Sequence, residues 1–343
     1  MDSPYSPLEY ALLNDWQRDF PVVAHPFAEI GLKVMRSGIH ADGAGETEVI
    51  DTLGRLQRRG AISRVGAVFA PRRVGASTLA ALAAPPERME QIAALVSARP
   101  EVNHTYQREH RYNLWFVATA ADPAALDAVL AGIERDTGCP VIALPLENEF
   151  HIDLGFDLAS GHKAPAAAAA GATRLPVAEE RRLIAALQPG LELMPRPFRH
   201  LGETLYMPED EVLARIGTMI EEGMIKRFGV VVRHHELGYR ANAMVVFDLA
   251  DGVVDGIGAR LAAEPGVTLC YRRRRCLPDW PYNLYCMVHG RSRDEAQPVI
   301  ARLAAIAGQA PTVLFSTRRF KQCGARYFSD ATADRRLVAT AHA

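Results

Sequence analysis

Apolar residues recur along this chain in two rhythms, and each rhythm appears twice. Leu8, Leu12 and Leu13, and later Leu183, Ile184 and Leu187, fall at helical spacing. The spacing predicts a helix at each place, ended by Pro21 and by Pro189. Val49, Leu53 and Leu56 form a second stripe, matched by Val212, Ile216 and Ile220. Gly60 and Gly223 follow where a helix-terminating glycine is expected. The apolar runs Ile62–Phe69 and Ile225–Val232 predict strands, and helices are predicted over Arg88–Ser97 and Val254–Ala263. Alternation with a period of two from Val102 to Ala120 predicts two strands and a turn. A helix and a strand close each copy: Ala124–Asp136 with Val141–Leu144, and Ala296–Ala307 with Thr312–Ser316. The plan of each half is helix-turn-helix followed by β-α-β-β-α-β, an α+β tandem repeat.

Direct matches support a duplication. Pro26-Phe27 and Gly31 match Pro197-Phe198 and Gly202, and Ala61–Gly75 matches Met224–Gly238. Pro100, Tyr106 and Tyr112-Asn113-Leu114 match Pro265, Tyr271 and Tyr282-Asn283-Leu284 in the same order. The Ala-, Gly- and Pro-rich stretch 159–177 cannot bury enough apolar surface to fold alone and reads as a linker. The expected organisation is a helix-turn-helix module over 1–60, a β-rich domain over 61–158, the linker, a second module over 178–223, a second β-rich domain over 224–330 and a tail over 331–343.

The 343 residues suffice for a core in each half. The balance of 39 Lys+Arg against 40 Asp+Glu argues against a general nucleic-acid binder, which carries a basic excess. Five cysteines without framework spacing point to a reducing compartment. The N-terminus lacks the pattern of a secretory signal, and no apolar run is long enough to cross a membrane, so a cytoplasmic protein is expected.

The chemistry concentrates in the two predicted hairpins. The first reads His104-Thr105-Tyr106-Gln107-Arg108-Glu109-His110-Arg111-Tyr112-Asn113-Leu114-Trp115-Phe116. The second runs from Cys270-Tyr271 through Arg272, Arg273, Arg274 and Arg275 to Asp279-Trp280-Pro281-Tyr282-Asn283-Leu284-Tyr285 and on to His289-Gly290. With the join at Leu56–Gly75, the plan is similar to the AsnC/Lrp family, which carries a helix-turn-helix (winged-helix-like) module before a ferredoxin-like domain. The paired hairpin segments resemble the siroheme decarboxylases, over nearly the whole chain and in a form that fuses two subunit types. That resemblance implies non-oxidative loss of the carboxyl groups of two acetate side chains of siroheme, giving 12,18-didecarboxysiroheme, in the heme d1 branch. It implies no added cofactor, and iron only within the substrate. Siroheme and its product are the implied partners, with homologous decarboxylase subunits possible. Within the chain, the halves are expected to pair as a pseudo-dimer, with homo-oligomers open.

The residues suit that chemistry. Arginine pairs carboxylates bidentately and stays charged, so Arg108, Arg111, Arg272, Arg273, Arg274 and Arg275 are candidate clamps for a polycarboxylate. Tyr106, Tyr112, Trp115, Tyr271 and Tyr282 interleave them as candidate stacking groups. Protonation of a carbanion calls for an acid working near neutral pH, and His110, His289 and His104 are the candidates. His289 aligns with Thr119 rather than with His110, so the copies are chemically unequal. His25 and His200, beside the repeated Pro-Phe turns, are expected to hydrogen-bond backbone, and His234-His235 sits at a strand end. No metal-site spacing occurs; Cys270 and Cys276 are too far apart in sequence for a CxxC pair. The rival reading is an AsnC/Lrp-type regulator sensing a ligand or heme. Against it, Glu46, Glu48 and Asp51 in the first copy and Glu209, Asp210 and Glu211 in the second make the starts of the recognition helices acidic, which repels phosphate.

Overall fold

The computed structural model describes residues 5–37, 44–152, 174–233 and 241–328. The expected tail, most of the expected linker and His234-His235 lie outside them. The first half runs α1 (Pro7–Asn14), α2 (Pro26–Arg36), α3 (Glu46–Arg58), β1 (Ile62–Phe69), α4 (Pro71–Val74), β2 (Ala76–Leu82), α5 (Met89–Ala98), β3 (Val102–Arg108), β4 (Leu114–Ala120), α6 (Pro123–Thr137) and β5 (Val141–Ile152). The second half runs α7 (Ala178–Leu187), α8 (Pro197–Leu205), α9 (Glu209–Glu221), β6 (Ile225–Val232), β7 (Ala241–Phe247), α10 (Val254–Ala262), β8 (Val267–Arg273), β9 (Leu284–Gly290), α11 (Arg293–Ala307) and β10 (Thr312–Gln322).

Local chemistry sets the helix ends. Ser6 and Glu9 form a reciprocal capping box at α1. Asp122 and Ser292 occupy the same repeat position and cap α6 and α11 by accepting from the backbone N–H groups of Ala125 and Glu295. Gly60 and Gly223 hold φ of 79° and 71°, the left-handed turn that releases the chain from α3 and α9 into a strand. Two expectations are corrected here. α1 stops at Asn14, well before Pro21. On α9 the buried stripe is Val212, Ile216 and Met219, and Ile220 is exposed.

The larger correction concerns the first strand of each β-rich domain. Ile62–Phe69 and Ile225–Val232 do not open the ferredoxin-like sheets. They pair with each other as a separate antiparallel ribbon, in which Gly66 faces its own repeat counterpart Gly229. The opening strands are instead β2 and β7. The two ferredoxin-like units then close one barrel in the order β10-β3-β4-β2-β5-β8-β9-β7. Closure depends on two long strands that each serve two ladders. β5 pairs with β2 over Val141–Pro145 and with β8 over Leu146–Ile152. β10 pairs with β7 over Thr312–Phe315 and with β3 over Ser316–Gln322.

Four apolar clusters follow from this layout. One joins both helical modules to the β1–β6 ribbon. Two lie between the barrel wall and its covering helices, α5 and α6 on one side and α10 and α11 on the other. The fourth fills the barrel interior around Trp115, Trp280 and Tyr285. Strand alternation explains the division: Leu114 and Phe116 face the helices while Trp115 faces inward, so both faces of β4 are buried.

Candidate active site

The hairpins place their side chains in three environments. The inner wall of the barrel receives His104, Tyr106 and Arg108 from β3, Tyr271 and Arg273 from β8, and His289 from β9. Arg108 is 6% exposed, and its guanidinium donates to the carbonyl of Leu314 at 2.9 Å. A second nitrogen stands 3.5 Å from the Asn242 side-chain oxygen, the outer limit of a hydrogen bond. Its Nε meets no acceptor among the described residues. Arg273 repeats the arrangement, donating to the carbonyl of Leu144 at 2.8 Å with its Nε likewise unpaired. The cations lie 5.7 Å from the Tyr106 ring and 4.6 Å from the Tyr271 ring. Burial pulls Arg108 down to about 10, still charged at neutral pH.

Arg108 reaches toward the second half across β10, which lies between β3 and β7. Its neighbour Asn242 on β7 is the ladder partner of His289 on β9. The Nδ1 of His289 is 2.8 Å from the Thr268 hydroxyl. Ser316, opposite Arg108 on β10, has a buried hydroxyl with no partner among the described residues. A polar band thus runs across five strands and both halves. His104 lies further along β3, its ring stacked 6.3 Å from Tyr106. Burial, with the cations of Arg64 and Arg319 nearby, depresses it to about 4, so this ring is neutral at physiological pH.

The second environment is an aromatic plug. Trp280, from the loop between β8 and β9, is fully buried against Trp115 at 5.0 Å, Tyr282 at 4.8 Å, His110 at 5.2 Å and Tyr112 at 6.1 Å. Its indole donates to the Tyr285 hydroxyl at 2.6 Å. His110 Nδ1 accepts from the Tyr112 backbone N–H, which leaves the proton of the neutral ring on Nε2. Burial, then the charge of Arg111, lowers its tendency to protonate. The Tyr282 hydroxyl bonds that of Thr312 at 2.7 Å.

The third environment is the outer surface, and it takes most of the arginine run. Arg272 pairs with Glu147, Asp251 and Asp255, and Arg275 with Asp248 and Asp251. Arg274 is exposed beside Glu147, and Arg111 bonds Asp279 at the rim. Strand alternation would give Tyr271, Arg273 and Arg275 one face, but the strand ends at Arg273, the last residue of β8, and Arg275 turns outward. His25 and His200, expected on backbone, instead face Glu46 at 3.3 Å and Glu192 at 3.5 Å. Asn242, Thr268, Ser316 and Arg319 join the inner wall without having been singled out by sequence, as does Trp280 in the plug, and Arg64 of the β1–β6 ribbon acts on His104 through its charge. Among the described residues no three His, Cys, Asp or Glu side chains gather as a metal site, and no helix is long and apolar enough to cross a membrane.

Comparison with known proteins places this geometry. A protein of Paracoccus denitrificans (strain Pd 1222), named "Siroheme decarboxylase NirDL subunit", is 46% identical over 324 residues, covering 93% of this chain and 96% of that one. The chain belongs to the siroheme decarboxylase family. Its segments 73–151 and 236–321 match the AsnC-like ligand binding domain, and 9–62 and 180–226 match the siroheme decarboxylase NirDL-like HTH domain. The "Siroheme decarboxylase NirL subunit" of Stutzerimonas stutzeri is 50% identical over 144 residues, 41% of this chain but 85% of its own length. Single-unit members of the family therefore exist beside double ones. The crystal structure of the siroheme decarboxylase NirDL with an iron-uroporphyrin III analogue superposes with a TM-score of 0.69 at 25% identity, covering 97% of this chain and 98% of that one.

Proposed function

We propose that this chain decarboxylates siroheme on two acetate side chains, giving 12,18-didecarboxysiroheme on the route to heme d1, with the inner wall of the barrel as its site. The observation that carries this reading is the contrast between the arginines. Arg272 and Arg275 on the outside are saturated by aspartate and glutamate. Arg108 and Arg273 on the inside meet only carbonyls and rings, with no carboxylate among the described residues. A buried charge without a counter-ion costs several kcal/mol. A substrate rich in carboxylates supplies the missing anions.

In this reading Arg108 and Arg273 hold carboxylates of the macrocycle, and Tyr106 and Tyr271 flank its rim. The aromatic plug, with His110, Tyr112, Trp115 and Tyr282, keeps that end of the barrel dry. The bond between the acetate methylene and its carboxyl carbon breaks, carbon dioxide leaves, and the electron pair stays on the methylene carbon. Protonated His289 gives that carbon a proton and becomes neutral. His104 and His110 are held neutral at rest, so they serve as hydrogen-bonding walls rather than as the acid. The helical modules offer little to DNA: α3 opens with Glu46 and Glu48, and α9 with Glu209, Asp210 and Glu211.

Purified chain given siroheme without oxygen is expected to release carbon dioxide and to yield products lighter by one and then two carboxyl groups, read by mass spectrometry. Siroheme recovered intact, alone and with added single-unit homologues, overturns the proposal.

A further inference from the structure

Strand β10 changes partners between two adjacent residues. Phe315 is the last to pair with β7, and Ser316 is the first to pair with β3, where it stands opposite Arg108. Directly opposed residues of an antiparallel pair leave the same face of the sheet, about 4.5–5.5 Å apart at Cβ. The two side chains therefore enter the inner wall side by side. Ser316 Oγ and Arg108 Nε are both shielded from solvent, and neither has a hydrogen-bond partner among the described residues. The Arg108 head is fixed from β10 itself, by the carbonyl of Leu314 two residues before Ser316. Orphaned buried donors cost free energy, and a pair of them points to a ligand that accepts from both. A carboxylate does so: each of its oxygens takes a hydrogen bond, and it brings the negative charge that Arg108 lacks. The repeat supplies the contrast. Opposite Arg273, β5 has Leu146, whose side chain can donate nothing.

Such a fork suits one kind of carboxylate. In the step that releases carbon dioxide, charge moves from the carboxylate oxygens to the methylene carbon. Donors aimed at those oxygens stabilise the reactant more than the transition state, and so slow the step. We propose that Ser316 and Arg108 form a two-donor anchor for a substrate carboxylate that is retained in the product, an inference that rests on this chain acting on siroheme. The anchored anion displaces the Asn242 side chain, whose contact with Arg108, at 3.5 Å, is long for a hydrogen bond. Because the anchor grips a group present before and after the reaction, it holds the macrocycle in one place while other side chains lose their carboxyl groups.

Anaerobic absorption titrations of the full chain with siroheme and with didecarboxysiroheme test this. Ser316→Ala is expected to weaken binding of both about 10-fold, the loss of one hydrogen bond to a charged group. Ser316→Thr, which keeps the hydroxyl, is expected to bind both within about 3-fold of the native chain. In steady-state assays Ser316→Ala is expected to raise KM about 10-fold while kcat falls less than about 2-fold. Its urea midpoint is expected to stay at or above the native one, because the hydroxyl removed is buried without a partner. Weaker siroheme binding with unchanged product binding would show that the anchored carboxylate is one that leaves, and overturns the proposal. A lowered urea midpoint in Ser316→Ala marks the hydroxyl as structural and overturns it too. Native turnover of siroheme with affinities untouched in Ser316→Ala overturns the anchor alone, whereas a native chain that converts no siroheme overturns the enzyme reading and the anchor with it.

Discussion

The two inner walls descend from one plan, and their differences show which parts of it are frame and which are chemistry. Arg108 and Arg273 take the same place in their repeats, and each donates to the carbonyl of the long strand arriving from the other half. Around Arg108 stand Ser316 and Asn242, with His289 beyond them. At the corresponding positions around Arg273 stand Leu146, Ser77 and Thr119. Residues 323–328 run over that second set, with Thr119 held to Arg326 and the Cys323 N–H given to the carbonyl of Asn103. Duplication preserved the backbone device that fixes each arginine. An imidazole and a carboxamide, those of His289 and Asn242, stand on one wall only; the other has the hydroxyls of Thr119 and Ser77 in their places.

Substitutions can break that comparison, beginning with the largest effect. His289→Ala is expected to lower turnover about 10²–10⁴-fold, the usual contribution of a positioned acid. The repeat-equivalent Thr119→Ala should leave turnover near native, and equal losses at both would show two working walls. Arg108→Ala is expected to reduce kcat/KM by about 100-fold, as loss of a charge-assisted clamp does. Arg273→Ala should cost less, and Arg275→Ala should change turnover little because its partners are surface aspartates. Steady-state assays of the three variants rank the walls directly.

Trp280→Ala sharpens a different part of the contrast, since one residue from the second half seals the hairpin of the first. Its removal is expected to cost about 3–5 kcal/mol in urea unfolding, the range for a large core aromatic. A loss below about 1 kcal/mol would mean that the plug is not a packed core. The smallest effect concerns His104. Its folded value of about 4 lies below the usual 6.5, so the unfolded chain binds the proton more readily. Stability is therefore full above pH 6.5 and falls as pH drops toward 4, by roughly 3 kcal/mol for this group. His104→Gln should flatten that slope in denaturation midpoints. An unchanged slope would place the titration elsewhere.

Most of the architecture was legible in periodicity because helix stripes and strand alternation are local properties. The exceptions are instructive. β2, with the sequence Ala-Ser-Thr-Leu-Ala-Ala-Leu, has few of the β-branched and aromatic groups that mark a strand. The stronger neighbour β1 therefore took its place in the sequence reading. The candidate site was legible as composition but not as direction. Four consecutive arginines look alike in sequence, yet alternation and the end of β8 send Arg273 inward and its neighbours to acidic partners outside. Asn242, Thr268 and Ser316 carried no local signal, because barrel closure and a bulge bring them to the wall. Trp280 lay within a recognised motif, but its target in the other half is set only by tertiary packing.

The double duty of β5 and β10 has a consequence for assembly. Each half lends the other the strand that completes its sheet, so a half on its own carries open backbone edges along β3 or β8, the kind of edge that recruits foreign strands. Joining both halves in one polypeptide keeps the correct partner at a high effective concentration from the moment of synthesis. Fusion then acts as a built-in chaperone: it shortens the time for which those edges stand uncovered, and it ensures that β3, bearing Arg108, always closes against β10 of the half that carries His289.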